Sequence, residues 1–110
     1  MDDLHLRLRD YALSLPGAEE HFPWGERVFK VKGKVYVFFG DGDGFAVKLP
    51  LSGAAALAIP GNTPTAYNLG KAGWVSVRPG AEADETQLRA WILESWRAVA
   101  PKRLAASYSG

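Results

Sequence analysis

Few side chains in this 110-residue chain have the reactivity to do chemistry. It holds two histidines, six serines, twelve carboxylates and thirteen lysines and arginines, and no cysteine. Without cysteine there can be no disulfide, zinc ribbon, thiol nucleophile or cysteine-bound iron–sulfur cluster. Glu19, Glu20 and His21 are the one cluster that suggests an acid–base pair or a metal site. Adjacent side chains on an irregular segment point apart, and no second His or carboxylate cluster joins them, so they read as a solvated acidic loop. His5 falls in the first turn of a helix, facing solvent. The serines lie outside any strand–turn–helix elbow that would expose a nucleophile. Asp41-Gly42-Asp43-Gly44 lacks the remaining ligands of a calcium loop and reads as a turn, and Leu69-Gly70-Lys71 lacks the glycine and Ser/Thr of a phosphate loop. No catalytic residue, metal ligand or cofactor is expected.

The basic residues are more informative. Net charge is only +1, but it is unevenly distributed: residues 1–26 sum to −4, residues 27–78 to +5, and residues 79–110 to zero. The central excess comes from Arg27, Lys30, Lys32, Lys34, Lys48, Lys71 and Arg78 against Asp41 and Asp43. Such a segment can attract an anion or a nucleic-acid backbone, or it can simply keep a sheet soluble. Aromatic side chains lie among the cations: Trp24, Tyr36, Tyr67 and Trp74, with Asn68 beside Tyr67. Semi-exposed aromatics can stack on bases or line a pocket.

The elements that must position these residues follow from periodicity. Leu4, Leu8, Tyr11, Ala12 and Leu15 form one helical stripe, with Asp2 or Asp3 as cap and Pro16-Gly17 as stop. Ala18–Gly25 reads as a loop. β-Branched and aromatic runs between Gly/Asp clusters predict strands over Arg27–Val31, Lys34–Phe39 and Phe45–Leu49, the first two joined by a tight Lys32-Gly33 turn. Strict alternation puts Lys34, Tyr36 and Phe38 on one face of the second strand and Val35, Val37 and Phe39 on the other. Ser52 caps a short helix to Ile59, Gly61–Gly73 is a connection, and Trp74–Arg78 is a fourth strand. Asp84 begins the longest helix, to Val99, with Leu88, Trp91, Ile92 and Val99 as its stripe, and Pro101 begins a last turn over Lys102–Ala106. The expectation is one α+β domain over residues 1–110, an antiparallel sheet of about four strands with helices packed on it. No apolar run approaches the roughly 18 residues of a membrane span, so a soluble, cytoplasmic protein is expected.

In order and spacing these residues resemble the MmcQ/YjbR family from about Leu8 to Leu104. The resemblance is carried by Leu15-Pro16-Gly17 with Glu19-Glu20, Phe22-Pro23-Trp24-Gly25, Val28-Phe29-Lys30-Val31 with Gly33-Lys34, and Ala46-Val47-Lys48-Leu49. It continues through Tyr67-Asn68-Leu69, Lys71 with Trp74, Val75-Ser76-Val77 and Val99-Ala100-Pro101-Lys102-Arg103-Leu104. The resemblance implies a compact α+β domain similar to frataxin-like and double-wing folds, a DNA-binding role by analogy of fold, and no catalytic residues. A frataxin-like iron site would need an acidic ridge, whereas Arg7 and Arg9 interrupt Asp2, Asp3 and Asp10. Two functions remain. In the first, Lys30, Lys32, Lys34 and Lys48 contact phosphates, Arg27, Lys71 and Arg78 lie at the margins, and Trp24, Tyr36 or Trp74 stacks. In the second, Trp24, Tyr67, Asn68, Lys71 and Trp74 form a pocket for a small molecule or a protein.

Overall fold

The Lys32-Gly33 turn starts the sheet. Both residues have positive φ, 51° and 82°, which gives a two-residue turn whose twist matches the strands that leave it. A computed structural model of the chain describes residues 4–23, 26–39, 44–66, 69–79 and 84–108. Within it β2 (Arg27–Val31) and β3 (Lys34–Phe39) flank this turn, and β4 (Phe45–Lys48) pairs with β3. β1 (Ala18–His21) pairs with β2 at one edge, while β6 (Trp74–Val77) pairs with β4 and carries β5 (Thr63–Pro64) at the other. The sheet is antiparallel throughout, in the order β1-β2-β3-β4-β6-β5.

Six strands replace the four that the pattern marks. β1 has only polar residues after Ala18, because an edge strand needs little apolar surface, and so it reads as a loop. β5 is two residues long and contains Pro64, which hides it from any propensity argument.

Two helices cover one face of the sheet. α1 (Leu4–Ser14) and α3 (Glu85–Val99) pack side by side, and α3 lies across β3 and β4. Leu8, Ala12, Phe29, Val31, Val37, Val47, Val75, Ile92 and Trp96 form the centre of this core, each with almost no exposed surface. α2 (Gly53–Leu57) packs Ala56 near β6, and α4 (Lys102–Ser107) follows α3. Asp84 caps α3 by accepting from the Thr86 N–H at 2.9 Å, one residue earlier than the capping-box spacing to Gln87 implies. Ser52 makes no side-chain cap to α2. Instead the Glu94 carboxylate of α3 accepts from the Leu51 and Ser52 N–H groups and the Ser52 hydroxyl. The radius of gyration, 13.0 Å, matches the roughly 13 Å of a compact chain of this length.

Strict alternation fails at one residue. Phe29 pairs with Val37 but Lys30 pairs with Val35, so Tyr36 is an extra residue in β3. This bulge turns Tyr36 to the same side as Val37, under the helices, where it is fully buried. Its hydroxyl donates to the Ala12 carbonyl at 2.6 Å, in the last turn of α1, where that carbonyl otherwise accepts only a long 3.4 Å turn bond from the Leu15 N–H among the described residues. Burial pushes the Tyr36 phenol well above its ordinary pKa. Past the bulge the ladder between β3 and β4 is bridged by a side chain. The buried Ser95 hydroxyl donates to the Tyr36 carbonyl at 2.5 Å and accepts from the Lys48 N–H at 2.8 Å. Trp96, the next residue of α3, donates its indole N–H to the Pro16 carbonyl at 3.0 Å.

Ser95→Ala leaves a buried carbonyl and a half-buried amide without partners. A loss of about 2–4 kcal/mol is expected, read from the shift of the urea midpoint. At the turn, Lys32→Asn places a residue that tolerates the left-handed region where lysine is strained. A gain of roughly 0.5–1 kcal/mol in the same measurement is expected, and a loss would refute the strain argument.

Candidate nucleic-acid interface

The register determines which cations come together. β2 runs toward the Lys32-Gly33 turn and β3 away from it, which places Lys30, Lys32 and Lys34 at one end of the sheet. β4 ends there at Lys48, paired with Trp74, the first residue of β6. Lys71 ends the 3-10 helix Leu69–Ala72 just before Trp74, so it reaches the same end. Lys30 and Lys48 also share the sheet face opposite α1 and α3, two strand spacings or roughly 10 Å apart.

Two further cations, Lys102 and Arg103, join this end from the C-terminal helix. A Cβ on Gly17, whose φ is +74°, would lie 3.3 Å from both Leu104 of α4 and Val31 at the end of β2. α4 is therefore packed against the lysine end, with Lys102 and Arg103 exposed in its first turn. The clue was present in Pro101-Lys102-Arg103, but it was masked by the even charge balance of residues 79–110.

None of these seven cations makes an ion pair or side-chain hydrogen bond among the described residues. Two carboxylates of neighbouring elements have other partners. Glu19, opposite Lys30 in the ladder, lies 3.4 Å from His21, and Glu94 holds the start of α2. Arg27 and Arg78 belong to the other end of the sheet. Arg27 is paired with Glu20 and lies 4.9 Å above the Phe22 ring.

The aromatic candidates do not accompany the lysines as an exposed platform. Tyr36 is in the core. Trp74 is 8% exposed and packs edge-on to Phe38, ring centroids 5.3 Å apart. Trp24, Tyr67 and Asn68 lie outside the described residues. Among the described residues no three His, Asp or Glu side chains are grouped to hold a metal ion, and no helix is long and apolar enough to cross a membrane. His21 is exposed and its partner Glu19 lies on the same edge strand.

The opposite end carries a paired network in place of free cations. Glu85, in the first turn of α3, accepts from Arg7 of α1 at 2.8 Å and pairs with Arg89 at 3.0 Å. The Arg7 hydrogen bond, then that of Arg89, holds the Glu85 carboxyl below its usual value of 4.5.

These observations define an α+β protein with a helix-backed antiparallel sheet and one basic end assembled from four separate stretches of chain. The family model described as YjbR matches residues 13–98, and the chain belongs to that family. It is also similar to the uncharacterized protein YbdF of Escherichia coli O157:H7, 32% identical over 102 residues that span 87% of this chain and 84% of the relative. The matched stretch contains five of the seven cations and excludes Lys102 and Arg103.

Because the Glu85 pKa is lowered in the folded state, its contribution to stability is present above the ordinary carboxyl value and fades as pH falls through the folded one. Glu85→Gln is therefore expected to lower the thermal midpoint at pH 7, with the difference from the parent protein closing below about pH 4. A difference that stays constant with pH would show that the carboxylate charge is not the cause.

Proposed function

We propose that the protein is a non-enzymatic nucleic-acid-binding module that grips the phosphate backbone with its lysine end and reads sequence weakly. The observation that carries this reading is the convergence of seven cations with no ion pair among the described residues, drawn from the β2–β3 hairpin, β4, the 3-10 helix and α4. Phosphate contacts of this kind position a protein without specifying sequence. The long helix α3 offers no spare cation to read a groove, since Arg89 is paired with Glu85 and Arg97 is bonded to the Ala105 and Tyr108 carbonyls. With Tyr36 and Trp74 buried, affinity rests on charge rather than on stacking, and a duplex, with its denser phosphates, is favoured over a single strand.

Fluorescence anisotropy with a labelled duplex and a labelled single strand, at about 50 and 200 mM salt, tests this reading. Duplex binding that weakens by roughly a thousandfold across that range is expected if most of the seven cations engage. The double reversal Lys30→Glu with Lys48→Glu is expected to abolish it, and Arg27→Ala to leave it unchanged. No binding at tens of micromolar protein, or binding indifferent to salt, would sink the reading.

A further inference from the structure

The face of the sheet left open by α1 and α3, which also carries Lys30 and Lys48, has a cleft of about 410 Å³ whose lining includes none of the lysines, within the size range of small-molecule sites. Its floor follows from the register. Phe38, Ala46 and Ser76 are paired in one row and face the same way. Ala46 and Ser76 are small and adjacent, so the floor drops over two strands, a slot roughly 10 Å wide. Phe38 walls it on one side, and Leu69 with Thr65 on the other. Such a slot admits a flat ring system.

Polar groups mark its rim. The hydroxyls of Thr65 and Ser76 are 3.0 Å apart, and one bond between them uses only one of their two protons, which leaves a donor for a ligand. Arg78, one step beyond Val77, is exposed and lines the cleft, and its guanidinium has no ion pair among the described residues. Its backbone is fixed by Asn62. The Asn62 carboxamide accepts from the Arg78 N–H at 2.9 Å and donates to the Ala56 carbonyl at 2.9 Å. Glu26 lines the cleft from the β2 side. β2 and β6 are three strand spacings apart, roughly 14 Å, and Glu26 and Arg78 form no ion pair. The slot therefore attracts an anion at its β6 side and repels one at its β2 side.

We propose that this cleft binds a small planar aromatic monocarboxylate, its ring over Ala46 and Ser76 between Phe38 and Leu69 and its carboxylate on Arg78. The site shares no residue with the lysine end and stands or falls separately from nucleic-acid binding. Arg78 recognises the anion because a guanidinium meets a carboxylate with two parallel hydrogen bonds. Glu26 selects against a second negative group on the far edge of the ring.

The test is an NMR titration of ¹⁵N-labelled protein with naphthalene-2-carboxylate, and with naphthalene-2-carboxamide as its neutral counterpart. Saturable shifts centred on the amides of Ala46, Ser76 and Thr65 are expected, with the carboxylate bound more tightly. Arg78→Gln, an exposed change that leaves the fold intact, is expected to weaken the carboxylate about tenfold and the carboxamide hardly at all. Ala46→Leu fills the slot and is expected to remove both, with unchanged resonances in the helices showing that the sheet is intact. Shifts that do not saturate by about 10 mM probe, or an equal response of both probes to Arg78→Gln, would overturn the proposal.

Discussion

Among the described residues, the Ser95 hydroxyl is where helix and sheet are joined by hydrogen bonds in both directions. By donating to Tyr36 and accepting from Lys48 it supplies the rung that β3 and β4 lack beyond the bulge. The bulge in turn allows Tyr36 to face inward and reach Ala12 at the end of α1. One extra residue in β3 thus sets the position of α1, the seating of α3 and the end of β4. A buried rung of this kind is directional in a way that apolar packing is not, so it fixes the rotation of α3 about its axis. Trp96 then follows on the correct side to hold the Pro16 carbonyl.

The separation of charge is a consequence of connectivity. In an antiparallel meander, alternate turns lie at the same end of the sheet, so cations spaced by a strand length in sequence gather in space. Lys30, Lys32 and Lys34 mark one turn and Lys48 the end of the next strand to arrive there. Arg27 and Arg78, equally basic in composition, fall at the other end because they begin β2 and follow β6. A net charge of +1 conceals this arrangement. α4 adds to the basic end because Arg97 reaches over to the Ala105 and Tyr108 carbonyls, at 3.4 and 3.2 Å, and Trp96 packs edge-on to Tyr108.

What was legible in the sequence was whatever depends on local chemistry. The stripe of α3, its Asp84 cap and the Lys32-Gly33 turn are written in neighbouring residues. Residues whose role depends on register were not legible. Tyr36 reads as an outward side chain until the bulge is known. Ser95 reads as filler within a helical stripe, and Asn62 as an ordinary loop residue, although both are buried and doubly hydrogen-bonded. The cations of residues 27–78 were legible as a group, but the separation of the lysines at one end from Arg27 and Arg78 at the other was not. The cleft was hidden because Ala46 and Ser76 are separated by thirty residues of chain and become neighbours only through pairing of β4 with β6.

The two edge strands have a consequence for how copies of this protein meet. β5 is barely longer than a single rung and ends in a proline that has no N–H to offer. β1, at the far side, carries Glu19, Glu20 and His21, with Glu20 held by Arg27 and Glu19 facing His21. A second sheet approaching either border meets too few backbone groups on one side and a charged fringe on the other. Ribbon-like growth from molecule to molecule is therefore disfavoured at both borders, and copies pressed together at high concentration meet through their ends and faces instead.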